Sequence, residues 1–205
     1  MSETSEDHYF SADPKAPFKR QQVEAQVWGR DLRFTTGSGV FAHGRLDIGT
    51  SVLFKETMPP AGGRVLDLGC GYGVIGLAIA SAWAAGAVTG EVVAVDVNER
   101  AVLLANENAR SLGLSGAFRA TTPDRAPDGA FDEIWSNPPI RIGKPALHAL
   151  LLEWFARLAP QGRAVMVVGK NLGGDSLQRW LGEQGYPTAR IGSSKGFRVL
   201  ESRRA

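Results

Sequence analysis

The sequence predicts an α/β fold, a mostly parallel sheet covered by helices on both faces, and three observations carry that prediction. From Arg64 onward, short apolar runs alternate with longer segments of helical period. A glycine-rich turn follows the first of those runs, "RVLDLG". The last two runs, "TARIG" and "FRVLES", follow each other with only "SSKG" between them, so they should pair antiparallel at the end of the sheet.

Taken in order, residues 1–20 are polar and contain Pro14 and Pro17, which reads as a flexible arm. Residues 21–60 hold an N-terminal hairpin and helix. Two alternating runs in "QQVEAQVWGRDLRFTTGSGVF" flank Gly29-Arg30-Asp31 as a β-hairpin, and "LDIGTSVLFKETM" has apolar residues at near-helical spacing before the breaker Pro59-Pro60-Ala61-Gly62-Gly63. Residues 61–205 form the core: strand "RVLDLG", helix "VIGLAIASAWAA", strand "EVVAVD", helix "ERAVLLANENARSLG" ending at Gly113, and strand "AFRAT". Strand "FDEIWS", helix "ALHALLLEWFARLA", strand "RAVMVVG" and helix "SLQRWLGEQG" lead into the final pair. At 205 residues this is the length of one domain with a full core.

Composition narrows the setting. A 43% hydrophobic and 21% charged chain is ordinary for a globular protein. The polar opening "MSETSEDHYF" has no basic region followed by an apolar stretch, and the most apolar segment falls short of the roughly 20 residues that span a bilayer. Cys70 is the one cysteine, which excludes an internal disulfide and a cysteine-built metal site, so the expected setting is a reducing cytoplasm with no metal and no membrane. With no histidine near it in sequence, Cys70 reads as a small loop residue rather than a nucleophile. A net charge of +2 permits a nucleic-acid partner through local basic patches without demanding one.

Two cofactors compete for "VLDLGCGYGVIG". Gly71, Gly73 and Gly76 match the G-x-G-x-x-G of a dinucleotide site, and Asp67, Gly69, Gly71 and Gly73 match the D-x-G-x-G of an S-adenosylmethionine (SAM) site. Asp67 separates them. A pyrophosphate at this turn would be repelled by a carboxylate two residues ahead of Gly69, by roughly 4 kcal/mol at 4 Å and an effective dielectric near 20. SAM carries an ammonium and a sulfonium and no phosphate, so the same charge attracts it. Asp96, ending the next strand, can accept both ribose hydroxyls of either cofactor. At the end of the fourth core strand, "SNPPI" places two prolines behind Asn137, so that the Asn137 side-chain oxygen and the Pro138 carbonyl can converge on an NH₂ group.

"DLGCGYG", "VDVN" and "NPPI", in this order and spacing, resemble a class I SAM-dependent methyltransferase of the small-domain, amine-directed type. "GVFAHGRLDIGTSVL", "NPPIRIGKPALH" and "KGFRVLESRR" extend the resemblance, from about His8 to the end, to the ribosomal RNA small-subunit guanine-N2 methyltransferase family. That resemblance implies a Rossmann-like seven-stranded sheet with an antiparallel last strand, SAM as methyl donor, and an exocyclic amine as acceptor. Position by position, Asp67, Gly69, Gly71 and Gly73 would line the methionine part, Asp96 would hold the ribose, and Val97 and Asn98 would flank the adenine. Thr121 and Thr122 stand where many relatives place an acidic or amide residue toward the adenine amine. Asn137, Pro138 and Pro139 would form the catalytic acceptor loop. Gly39 to Thr50 would cover cofactor and substrate, with Phe41 as a stacking residue. Ile140 stands where amine methyltransferases commonly carry Tyr or Phe.

The reading this supports is in-line attack of guanine N2 on the SAM methyl carbon, with the amine positioned by Asn137 and Pro138 and the base unstacked from any helix. Arg141, Lys144, Lys170, Lys195 and Arg198 follow strand ends or turns and would form a phosphate-binding rim for RNA, free or in the small ribosomal subunit. Asn-Pro-Pro reads an NH₂ and not its parent molecule, so a protein glutamine or an adenine stands as the alternative acceptor. A nicotinamide-dependent oxidoreductase and a non-catalytic SAM-binding module are more distant readings.

Overall fold

A computed structural model describes residues 19–42 and 44–204; the expected arm, up to residue 18, lies outside the described residues. The elements are β1 (Arg20–Val27), β2 (Arg30–Gly37), α1 (Ile48–Glu56), β3 (Gly63–Leu68), α2 (Val74–Gly86), β4 (Gly90–Val95), α3 (Glu99–Ser111), β5 (Phe118–Thr121), β6 (Phe131–Ser136), α4 (Lys144–Phe155), β7 (Leu158–Gly169), α5 (Gly174–Glu183), β8 (Thr188–Ser194) and β9 (Phe197–Arg203). β1 and β2 form their own two-stranded antiparallel sheet. The other seven strands form one sheet in the order β5-β4-β3-β6-β7-β9-β8. Its first five positions are parallel neighbours, and β9 runs antiparallel between β7 and β8. The α/β class, the seven strands and the reversed ending are those the sequence predicts.

The pleat sorts the core into two layers. Val65, Val92, Trp135 and Val165 face α2, α3 and the N-terminal segment, while Leu66, Val93, Ile134 and Met166 face α4 and α5. α2 is apolar on nearly every side and is buried along most of its length. α3 instead buries one stripe, Ala101, Leu104, Ala105, Asn108 and Ala109, at helical spacing. It starts at Asn98, whose side chain accepts from the Arg100 N–H, and the chain turns away at Gly113, where φ is +70°.

The hairpin turn differs from the sequence expectation. Val27 pairs with Arg30, so the two turn residues are Trp28 and Gly29, with φ of 47° and 76°. Tryptophan is an unusual residue for a left-handed turn position. It is held there from outside the hairpin: its indole N–H donates to the carbonyls of Phe54 and Thr57, and its ring meets Phe54 and Trp135 edge to face. Gly29 supplies one left-handed turn position by local chemistry, and the anchoring of Trp28 against the start of the core supplies the other.

A second tether is Asn108. Its amide oxygen accepts from the Thr35 N–H at 2.7 Å, and its amide nitrogen donates to the carbonyls of Thr35 at 2.9 Å and Tyr72 at 3.0 Å. The side chain thus serves as a one-residue strand partner for β2 while holding the glycine turn after β3. Asn108 is only 2% exposed, so Asn108→Ala strands polar groups that water cannot readily reach. The expected loss is about 1–3 kcal/mol of unfolding free energy, read as a lowered urea midpoint at unchanged m-value.

Candidate active site

A cavity opens over the carboxyl ends of β3, β4, β6 and β7, where the sheet order reverses direction from the β3-β4-β5 half to the β6-β7 half. Neighbouring strand ends are stitched together here. The Ser136 hydroxyl donates to the Leu68 carbonyl at 2.7 Å, which sets the end of β6, and with it Asn137, beside the end of β3.

The turn after β3 is held by the end of β4. Gly69 N–H and Cys70 N–H both donate to the Val95 carbonyl, at 2.8 and 3.0 Å, Gly71 N–H donates to the Asp96 carboxylate at 2.9 Å, and Gly73 N–H donates to the Cys70 carbonyl at 2.9 Å. Gly69 and Gly71 line the cavity. Gly73 lies off its wall and serves packing: with φ of +88°, an added Cβ would stand 3.0 to 3.2 Å from Ala105, Leu77 and Phe118. These four amides are spent inside the protein, so they form no nest for a pyrophosphate.

Asp96 lines the cavity and accepts from the N–H groups of Gly71 and Asn98. Burial pushes its carboxyl above the usual range, while hydrogen bonds from the backbone of Asn98, Gly71 and Val97 pull the other way. A carboxylate has about four acceptor sites, so with three backbone N–H groups on it a site remains for a ligand hydroxyl. Val97 and Asn98 also line the cavity, and Ala101 and Pro123 extend the apolar wall beside Asp96. The Asn98 side chain is occupied, donating to the Gly39 carbonyl at 2.7 Å and capping α3. Thr121 and Thr122 lie off the wall, and Pro123 takes the place expected of them. An acid with room for a ribose hydroxyl beside an apolar slot suits a nucleoside that brings no phosphate.

Asp67 is placed differently from the sequence expectation. Its side chain is 0% exposed and lies beneath the turn rather than on the cavity wall. One carboxyl oxygen accepts from the Gly76 N–H at 2.8 Å at the start of α2, and the other has no hydrogen-bond partner among the described residues. Because strand residues alternate faces, Asp67 points the same way as Val65, into the α2 layer; its spacing from the glycines could not reveal that. Burial, with the Asp96 charge adding to it against the Gly76 hydrogen bond, pushes its carboxyl up to about 7. Burial likewise pushes the Cys70 thiol well up, as befits an inert loop residue.

On the far side of the cavity stand Asn137, Pro138, Pro139, Ile140 and Arg141. The Asn137 amide nitrogen donates to Asp47 Oδ2 at 2.8 Å and to Thr50 Oγ1 at 3.0 Å. The Pro138 carbonyl already accepts from the Ile140 N–H at 2.8 Å, across Pro139 in a tight three-residue turn (φ −75°, ψ 72°), and so keeps one lone pair for a ligand. Phe41 lines the opening at 45% exposure. Of the basic residues, Arg141 is on the wall. Lys144, Lys170 and Lys195 are exposed just outside it, and the Lys170 N–H bonds the Gly196 carbonyl, which sets Lys170 beside the Lys195 turn. Arg198 is off the wall and engaged with Asp175 at 3.2 Å and with Ser193. Sequence reasoning did not single out Asp47, Phe197 or Trp154, which also line the cavity. Asp47 alone left a local signal, as the capping residue before the helical pattern of α1.

The buried Asp67 carboxyl makes a pH prediction. Unfolded, it titrates near 3.9, and folded, near 7. The folded state therefore keeps a proton that the unfolded chain has lost, so the cost of burying this group is absent below about pH 4, grows with pH, and is complete above pH 7. Asp67→Asn removes that cost. Between pH 4.5 and pH 8 the unfolding free energy of the ligand-free variant, relative to wild type, should rise by on the order of 2–4 kcal/mol, measured by urea denaturation at both pH values.

Residues 31–201 match the family model described as methyltransferase small domain. The chain is 32% identical to the uncharacterized protein YbxB of Bacillus subtilis, over 97% of this chain and 98% of that one. It is 35% identical to ribosomal RNA small subunit methyltransferase C of Chromohalobacter salexigens, over 83% of this chain and 51% of that one, so it spans about half the length of that relative. Among solved structures, a T. thermophilus 16S rRNA N2 methyltransferase in complex with AdoMet and guanosine superposes with a TM-score of 0.72 at 23% identity, over 95% of this chain and 53% of that one. With the family model spanning both halves of the cavity, the chain belongs to the methyltransferase small domain family.

Proposed function

We propose that this protein is a SAM-dependent methyltransferase that methylates an exocyclic amine of an RNA base, guanine N2 in ribosomal RNA. The observation that carries the reading is the state of Asn137: both hydrogens of its amide are committed to Asp47 and Thr50, so the amide oxygen is the end left to a ligand in a cavity whose other half suits a nucleoside cofactor. An amide oxygen accepts hydrogen bonds only, which selects an N–H or O–H donor as the methyl acceptor.

In this reading the Asp96 carboxylate would accept from a ribose hydroxyl of SAM, Val97, Ala101 and Pro123 would hold its base, and the loop of Gly69 and Gly71 would accommodate the methionine part. Asp67 acts from beneath, through its hydrogen bond from the Gly76 N–H at the start of α2, rather than by contact with the cofactor. SAM supplies an electrophilic methyl carbon on a sulfonium centre. Asn137 Oδ1 and the remaining lone pair of the Pro138 carbonyl accept the two N–H groups of the target amine and turn its lone pair toward that carbon. Transfer would break the carbon–sulfur bond as the carbon–nitrogen bond forms, with the sulfonium leaving as a neutral thioether and the surplus amine proton passing to solvent. As positive charge develops on nitrogen, both acceptors would bind it more strongly, so the loop favours the transition state over the ground state. With Ile140 in place of an aromatic residue after Pro-Pro, Phe41, Trp154 and Phe197 supply the aromatic surface of the cavity.

Guanine and RNA are supported by the relatives named for small-subunit ribosomal RNA methylation and by the guanosine in the T. thermophilus complex. The cavity's exposed edge carries Arg141, Lys144, Lys170 and Lys195, which suit backbone phosphates. Arg198 is better described as a structural partner of Asp175.

Two outcomes test this reading. Tritium from methyl-labelled SAM should appear in small-subunit ribosomal RNA as N2-methylguanosine, and Asn137→Ala should lower turnover by roughly 10²- to 10³-fold at nearly unchanged SAM affinity. A methyl group on a ring carbon or a ribose oxygen, or full turnover in Asn137→Ala, would sink the acceptor-loop mechanism. Single substitutions of Lys144, Lys170 or Lys195 by Ala should each weaken RNA binding and make its salt dependence shallower, with SAM affinity unchanged by calorimetry.

A further inference from the structure

We infer that Asp47, assisted by Thr50, is a positioning residue for methyl transfer, holding the Asn137 amide so that its oxygen can only face the acceptor amine; this rests on the reading of Asn137 just given. A side-chain amide presents a donor and an acceptor of nearly the same shape, and a half-turn about its last bond exchanges them. The cavity needs the acceptor. A catalytic amide free to turn would spend part of its time offering N–H groups to a donor, which repels the amine it should bind.

The start of α1 removes that freedom. Asp47 Oδ2 accepts from the Asn137 amide nitrogen at 2.8 Å, and Thr50 Oγ1 accepts from the same nitrogen at 3.0 Å. A carboxylate has no hydrogen to give, so the flipped amide would set oxygen against oxygen. The carboxylate is itself fixed, because the same Oδ2 accepts from the Thr50 N–H at 3.0 Å as the cap of α1. Thr50 is 2% exposed, which keeps water from competing for its hydroxyl. Gly49 provides the room: a Cβ there would lie 2.9 Å from Asp47 Oδ2 and 2.9 Å from the Phe197 ring. Each polar or small residue of "DIGT" therefore has an assigned part, with Asp and Thr as the two acceptors and Gly as the space between the carboxylate and the cavity wall.

The tests exploit the requirement that Asp47 act through Asn137. Asp47→Ala should lower turnover by roughly 10- to 100-fold at unchanged SAM affinity, the range for loss of a group that orients a reacting residue. Asp47→Asn should recover most of that loss, because one oxygen can still accept both hydrogen bonds that Oδ2 accepts now. In the Asn137→Ala background, Asp47→Ala should cost nothing further. Multiplying losses in the double variant would show that Asp47 acts only as a helix cap, and would overturn the inference while leaving the role of Asn137 intact. Full turnover in Asn137→Ala alone would overturn both.

A second measurement needs no substrate and does not depend on Asp47→Ala folding well. The Asn137 side-chain amide signals, identified by their loss in Asn137→Ala, should exchange slowly with solvent in the wild type and faster in Thr50→Val, which keeps the capping carboxylate. Equal exchange in the two proteins would show that Thr50 does not hold the amide and would overturn the two-acceptor arrangement.

Discussion

The cavity lies where parallel strands end, and there the backbone runs out of ladder partners. A parallel sheet satisfies its interior N–H and C=O groups evenly, but the residues just past the strand ends must find other partners or lose stability. The Val95 carbonyl and the Asp96 carboxylate meet that need for the glycine turn, taking the N–H groups of Gly69, Cys70 and Gly71. The same hydrogen bonds that close the fold at this edge therefore shape one half of the site. They also decide its ligand class, since a turn whose amides are consumed internally has little to offer a phosphate.

Three asparagines extend this logic to the N-terminal segment. Asn98 holds the Gly39 carbonyl, Asn108 pairs with both backbone groups of Thr35, and Asn137 reaches Asp47 and Thr50. Each follows or packs beside a strand end of the large sheet, and each grips a different point of the hairpin, the loop after it, or α1. An amide side chain suits the task because it both gives and accepts, as a strand neighbour would. The two-stranded sheet makes no ladder with the seven-stranded one, so Asn108, the Arg20–Glu107 pair, the packing of Trp28 on Trp135 and the shared apolar core join the two, while Asn98 and Asn137 hold the segment that follows the hairpin. The cover of the cavity is thereby part of its wall, and the Asn137 side chain is held by the capping residue of a helix some 90 residues away in sequence.

Asp67 shows the cost of building such a site. A fully buried carboxyl with one unpartnered oxygen weakens the fold at neutral pH. In return it holds the Gly76 N–H at the start of α2, beneath the turn. Asp96 is a milder case, since three backbone N–H groups counter the burial.

Periodicity and punctuation were enough to read the order of strands and helices and the reversed ending, because alternation and helical spacing are local consequences of which face is buried. The place of the loops was legible too. Gly69, Gly71, Asp96, Val97, Asn98, Asn137, Pro138 and Pro139 all come to the cavity wall, since a strand-end motif in a parallel sheet has only one edge to occupy. What the sequence could not contain were facts about the third dimension. The side of the sheet toward which Asp67 points follows from how the pleat meets α2. The turn at Trp28 follows from an indole anchored on residues about 30 positions downstream. Arg198 is drawn to Asp175 by the packing of α5 against β9, which leaves the basic edge to its neighbours. The pairing of Asp47 with Asn137 arises only when α1 closes over the end of β6. Fold class and the chemical groups available at the strand ends are local properties of the chain and can be read from its pattern. Which of those groups face the cavity and which are consumed holding it is settled by packing, because a side chain's direction and its partners depend on what meets it from distant parts of the chain.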